Sequence, residues 1–522
     1  MLHTPTARKS RTAKLTAALA LAAMILTSCA DTKTAAPAPE DNFSALTEYQ
    51  KQKLAWSGCY DEFECAELRV PIDYDNLDLG TFRISVLRAT ANDPKNRLGS
   101  IVVNPGGPGG SGVDYAYNAE YIFSPDITDV YDIVGFDPRG VAQSEPIYCY
   151  SDAEIDANYA ADSKPDNDAE VTESLAESEN FATKCAEGTD NLAHFTTTEA
   201  ARDMDILRSA LGEEKLNYLG KSYGTFMGTL YAEMFPDKVG RFILDGAVDP
   251  NISMKDQNIA QAVGFDGAVE AFITACLTLS DCPFTGDLKS AQKSITATLQ
   301  SAASSPLPQK NPADGDDRLA TESILVIGMA SSLYDNVDGW PKLRRAFTEA
   351  KLNYGDTFIQ LADEYAGRNP DGTFMSNDFD SGAVIDCLDW PDTRSTDEYR
   401  KDAQEFAAKA PIFGPYIAYA GMHCKYLPEP KTQRAPGSFT TITTSPVIVI
   451  GTTRDPATPY AWSQNLAKLF SGSRLITLDA DGHTGQGRGS FCVDDAVDAF
   501  LLTGTLPKPK LRCTLDQLET RL

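Results

Sequence analysis

Residues 216–235, LNYLGKSYGTFMGTLYAEMF, constrain this chain more than any other stretch. Leu216, Tyr218 and Leu219 read as a short buried strand, and Phe226, Leu230, Met234 and Phe235 recur at helical spacing. Between them stands Gly220-Lys221-Ser222-Tyr223-Gly224, a G-x-S-x-G. A strand that turns sharply into a helix at such a pentapeptide projects the serine Oγ above the sheet, near the positive end of the helix dipole. The glycines relieve crowding around the turn. In a chain this long the bare pattern arises by chance about one time in five. The strand before it and the helix after it are what make Ser222 the candidate nucleophile.

Further strand candidates are FRISVLRA (82–89), SIVVNP (100–105), YDIVGFDP (131–138), RFILDG (241–246), PVIVIG (446–451) and RLITLD (474–479). Several are near-continuous apolar runs, as expected of parallel strands covered on both faces. Helical patterns lie between them at 200–212, after Ser222, and at 461–470. That alternation predicts an α/β fold with a mostly parallel, doubly wound sheet. Two intervals break the rhythm. Residues 145–195 are acidic and rich in Ser, Ala and Asp, and read as a surface excursion. Residues 250–435 hold almost no convincing strand but have amphipathic stretches at 262–279 and 340–354. They are expected to form a large helical cap inserted into a core made of 51–249 and 436–522.

The N-terminus carries Arg8, Lys9, Arg11 and Lys14, then an apolar run from Leu15 to Leu26. That run is too short to span a bilayer permanently, and its flanks match a signal peptide over 1–28. The ending Leu26-Thr27-Ser28-Cys29 resembles a bacterial lipobox, with Cys29 as the lipid-carrying residue; ordinary secretion with cleavage nearby is the alternative. Residues 29–50 then read as a tether. The expected location is the outer face of the cell membrane, or the medium. Eleven cysteines less Cys29 leave an even number, consistent with disulfides in an oxidising compartment. The simplest pairing joins nearest neighbours: Cys59–Cys65, Cys149–Cys185, Cys276–Cys282, Cys387–Cys424 and Cys492–Cys513. With four histidines and no C-x-x-C spacing, no metal or cofactor is expected. A formal charge of −28 argues against nucleic acid and against anionic lipid surfaces, leaving the lipid anchor as the membrane contact. A monomer is expected.

A serine nucleophile needs a base, and the base needs a partner that fixes its tautomer. His3 lies in the signal segment, His194 precedes Ser222 in chain order, and His423 adjoins Cys424 within the helical insertion. His483, on the Gly-flanked loop Asp481-Gly482-His483-Thr484-Gly485, fits the hydrolase order of nucleophile, acid, histidine. Asp455 follows the strand PVIVIG and is the candidate acid; Asp479 and Asp481 stand too near His483. The oxyanion hole should combine the backbone N–H of Tyr223 with one from the loop Asn104-Pro105-Gly106-Gly107-Pro108-Gly109-Gly110-Ser111-Gly112. Gly107 is favoured there, with Gly106 next. Phosphate cradling is the competing reading of such a loop, but no G-K-[ST] follows.

The segments NPGGPGGSG, GFDPRGVAQSEP (135–146), GKSYGT, LDGAVDP (244–250), GTTRDPATPY and DGHT together resemble the secreted actinobacterial tripeptidyl aminopeptidases, α/β-hydrolase serine peptidases related to the prolyl aminopeptidases. The resemblance spans about residues 55 to 515. It implies a serine exopeptidase that removes short peptides from free N-termini beneath a cap, with Ser222, Asp455 and His483 as triad. Peptides or small esters are the implied substrates, and an envelope carboxylesterase, a lipase or an endopeptidase would use the same triad. The chain departs from the prolyl-aminopeptidase loop His-Gly-Gly-Pro-Gly in having Pro105 at the histidine position. An aminopeptidase also needs a carboxylate to receive the substrate ammonium; by chain position Asp249 and Asp389 are the candidates.

Overall fold

Ten strands form one sheet in the computed structural model, which describes residues 43–312, 316–435 and 437–516. They are β1 Ser57–Cys59, β2 Phe63–Pro71, β3 Thr81–Ala89, β4 Gly99–Asn104, β5 Tyr131–Phe136, β6 Leu216–Lys221, β7 Val239–Asp245, β8 Val447–Arg454, β9 Arg474–Asp481 and β10 Leu511–Thr514. Their spatial order is β1-β2-β3-β5-β4-β6-β7-β8-β9-β10. From β5 to β10 every neighbouring pair is parallel; β1, β2 and β3 form an antiparallel edge.

The apolar runs of β3 to β9 lie where the sequence indicates them. All six residues of β4 and of β5 are buried. Alternation divides them between two cores: Val102, Tyr218, Phe242 and Val449 point to one face, and Ile101, Val103, Leu219, Ile243 and Ile450 to the other. β1, β2 and β10 escape the sequence reading for a physical reason. β2 carries Glu64, Glu67 and Arg69 on an edge that is buried over only part of its length, and β1 and β10 have 3 and 4 residues. Disulfides hold both ends of the sheet, Cys59–Cys65 across the β1–β2 hairpin and Cys492–Cys513 beside β10.

After β4 the chain adds β5 on one side, then returns to add β6 on the other. The crevice of a doubly wound sheet opens where the winding reverses, beyond the carboxyl ends of the strands. Here those ends are Asn104, which leads into the glycine loop, and Lys221, which leads into Ser222.

Among the described residues of 250–435 no strand joins the sheet. Helices Met254–Cys276, Leu288–Ser304, Glu322–Leu333, Gly339–Lys351 and Asp356–Ala366 pack around their own core of Phe265, Phe272, Leu325, Phe347 and Phe358. The interval 145–195 is not the surface excursion expected. Its helices Asp152–Ala160 and Asp168–Gly188 bury Ile155, Val171 and Phe181 and join the cap through Asp156–Arg368 and Lys164–Glu322 ion pairs. Its acidic, small-residue composition hides one apolar stripe, which the Cys149–Cys185 disulfide holds in place. The tether also ends earlier than expected, because Leu46–Lys51 is a helix with a buried Tyr49. The signal segment and Cys29 lie outside the described residues.

Candidate active site

Ser222 is held at φ 55°, a left-handed conformation that costs a non-glycine residue strain. Its flanks explain how the turn closes. A Cβ on Gly220 would meet the Gly224 carbonyl oxygen at 2.5 Å, and one on Gly224 would meet Asn104 Oδ1 at 2.6 Å. The serine N–H donates to the Asp245 carbonyl at 2.8 Å, which ties the turn to the end of β7.

The glycine loop lies against this turn. A Cβ on Gly106 would stand 2.6 Å from the Lys221 carbonyl oxygen and 2.8 Å from Ser222 Cβ. Gly106 does not keep the donor role expected of it. Its N–H is taken by Asn104 Oδ1 at 2.9 Å, because the side chain at the end of β4 folds back to cap its own loop. Gly107 and Tyr223, the other two expected donors, line the cavity beside Ser222.

Asp455 follows β8 and is buried. It accepts the N–H groups of Ala457 (3.0 Å), Thr458 (2.8 Å) and Thr484 (3.0 Å), and the Thr458 hydroxyl (3.0 Å). It is thus both a turn aspartate and the partner of His483, whose Nδ1 lies 2.9 and 3.0 Å from its two oxygens. A carboxylate on Nδ1 calls for the proton there and leaves the Nε2 lone pair free. Three contributors were not evident from the sequence. Thr458 Oγ1 stands 3.3 Å from His483 Nδ1. Tyr334 of the cap accepts the His483 N–H at 2.9 Å and sets its ring edge-on to the imidazole, centroids 5.2 Å apart. Asp245 accepts the N–H groups of Gly485 (2.8 Å) and Gln486 (2.9 Å), so the end of β7 supports the histidine loop from below.

The alpha/beta hydrolase fold family matches residues 99–489. The serine protease Hip1 of Mycobacterium tuberculosis is 35% identical over 86% of this chain and 87% of its own length. Carboxylesterase B of the same species is 36% identical over 91% and 90%, and the tripeptidyl aminopeptidase of Streptomyces lividans 30% over 88% and 86%. The chain belongs to the α/β-hydrolase serine peptidases of the actinobacterial tripeptidyl aminopeptidase family. It is a serine hydrolase.

In this α/β hydrolase Ser222, Tyr223, Gly107 and His483 line one cavity of about 590 Å³ between sheet and cap. The carboxylates expected to anchor a substrate ammonium are elsewhere. Asp249 is turned into its own loop, accepting Asn251 N–H (3.0 Å) and Asn465 Nδ2 (2.8 Å), and lines a separate depression. Asp389 is buried under the nucleophile. It accepts Thr197 N–H (2.9 Å), the Thr197 hydroxyl (2.5 Å) and Tyr223 OH (2.9 Å). Burial pushes its carboxyl up to about 6 while those bonds pull it down. Asp389 therefore fixes the side chain of Tyr223, the residue after Ser222.

Asp378 and Asp386, on the same cap helix Asp378–Asp389, do line the catalytic cavity. Burial, with Asp389 beside it, pushes the Asp386 carboxyl up to about 7. The disulfide Cys387–Cys424 pins this helix to the turn Met422–Tyr426, whose His423 also lines the cavity. Cys387, His423 and Cys424 have metal-ligand side chains within 4.8 Å, but the disulfide leaves them no thiolate to offer. All five nearest-neighbour disulfides are formed, which fits an exported protein.

Proposed function

We propose that this hydrolase is an exopeptidase that cleaves short peptides from free N-termini, in the manner of a tripeptidyl aminopeptidase. The reading rests on one observation: among the described residues, the cavity beside Ser222 is lined by two carboxylates, Asp378 and Asp386, and by no lysine or arginine. A substrate ammonium placed there gains a charge-assisted hydrogen bond, whereas a buried ammonium with no partner is costly. The relatives named tripeptidyl aminopeptidase and serine protease support it.

In this mechanism Ser222 Oγ attacks the scissile carbonyl and its proton passes to His483 Nε2, with Asp455 holding the imidazole. The N–H groups of Gly107 and Tyr223 receive the oxyanion. The tetrahedral intermediate collapses as His483 returns the proton to the leaving amine, which gives an acyl-enzyme that water cleaves by the reverse sequence. Export and a lipid at Cys29 complete the proposal.

The test profiles the purified protein against N-terminally free and N-blocked peptides of several lengths. Free-amine tripeptide release should dominate, and Ser222→Ala should abolish both turnover and fluorophosphonate labelling while the circular dichroism is kept. Equal cleavage of free and blocked peptides would remove the exopeptidase reading. Ester turnover without peptide turnover would favour an esterase, which the Carboxylesterase B relative supports.

A further inference from the structure

A second cavity, of about 320 Å³, lies inside the cap. Its walls come from helix Asp152–Ala160, the start of Glu322–Leu333, helix Asp356–Ala366 and the loop carrying Phe374. Ile359, Ala362 and Ala366 supply one side at i, i+3 and i+7, a single stripe of their helix, with Ala157 and Ile324 across from them. The charged groups around it are already paired. Arg318 gives two bonds of 2.7 Å to Asp363 and bonds of 3.0 and 2.9 Å to Asp316. Arg368 holds Asp156 at 2.6 and 2.8 Å. An ionic ligand group would have to break one of these bidentate pairs, whereas a neutral hydrocarbon group needs no polar partner.

This cavity shares walls with the catalytic one. Tyr159 and Ala366 line both. The Tyr159 ring stands between Phe374, on the apolar side (centroids 6.2 Å), and Phe379, on the catalytic side (5.3 Å). An aromatic row is thus the partition between the two spaces.

We propose that the cap cavity is a subsite for a neutral hydrocarbon group of the substrate, reached from Ser222 past Tyr159. The inference rests on hydrolysis at Ser222 and not on exopeptidase specificity. The group can belong to an ester acyl chain or to an unbranched or aromatic peptide side chain, since both present the same chemistry to these walls. The cap then selects substrates by apolar length, and its carboxylates select the charge at the other end.

The test measures kcat/KM over p-nitrophenyl esters from acetate to dodecanoate, and over free-amine peptides carrying alanine, norleucine or phenylalanine at each position before the scissile bond. In at least one series kcat/KM should rise about threefold to fourfold per methylene entering the cavity. The responding series tells acyl chain from side chain. Ala157→Trp, at an exposed alanine of the wall, fills the space and should cut the long-to-short ratio at least tenfold. Phe374→Ala opens the partition and should move the optimum to bulkier groups. Circular dichroism and fluorophosphonate labelling report whether each variant folds. Flat series in the native protein, or slopes that neither variant alters, would overturn the subsite. Acetate turnover in that case keeps hydrolysis at Ser222 standing. Absence of all turnover and labelling would bring down both.

Discussion

Asp386 and Asp389 stand three residues apart on one helix, and their surroundings give them different work. Asp389 is saturated by Thr197 and Tyr223, while Asp386 lines the catalytic cavity. The sequence pointed to Asp249 and Asp389 and not to Asp386, because Asp386 and Asp389 are aspartates beside the same disulfide and only packing tells which way each carboxylate points. A pH dependence follows. With its carboxyl raised to about 7, Asp386 is neutral at lower pH and becomes a partner for an ammonium as pH rises through that value. Dividing kcat/KM for a free-amine peptide by that for a neutral ester cancels every pH effect that the two reactions share. The ratio should climb through about pH 7, then fall as the substrate amine deprotonates near about 8. Asp386→Asn should lower the ratio at least tenfold and flatten its rising limb. A ratio that does not change with pH, in both proteins, would place the amine anchor elsewhere.

At the scale of elements, helix Asp378–Asp389 joins the cap to the chemistry. Its Asp380 accepts the Cys149 N–H at 2.7 Å, and the Asn377 side chain that precedes it donates to the carbonyls of Gly140 and Ile147. At its other end the Cys387–Cys424 disulfide closes a loop of 37 residues. Constraining a loop of that length in the unfolded chain is worth about 4 kcal/mol in the entropic account. Replacing both cysteines by alanine should destabilise the cap by about 2–4 kcal/mol. Hydrogen exchange should quicken first in 378–389, and KM should rise more than kcat falls. Exchange that quickens equally across the sheet would mean that core and cap unfold as one unit.

The whole molecule combines a formal charge of −28 with a cavity beside Ser222 that Asp378 and Asp386 line. A field of that sign draws cationic peptides toward the cleft and is screened by salt. The value of kcat/KM for free-amine peptides should therefore fall several-fold between about 0.01 M and about 0.5 M salt, with neutral esters unchanged. Equal salt effects on both would assign the acidity to solubility alone. What the sequence determined by itself was whatever is local in the chain or repeats along it. The apolar runs of β3 to β9 announce buried strands, the strained turn at Ser222 is announced by its neighbours, and the pairing of Asp455 with His483 follows from chain order and elimination. Nearest-neighbour cysteines pair because short loops close easily. Tertiary structure alone decided the rest: that the acidic interval 145–195 belongs to the cap, that Asn104 takes the Gly106 N–H, that Tyr334 reaches down to His483, and that Asp386 rather than Asp389 lines the cavity beside Ser222. Each of these depends on contacts between segments far apart in the chain, and no periodicity or spacing within a segment records which partner will stand opposite it.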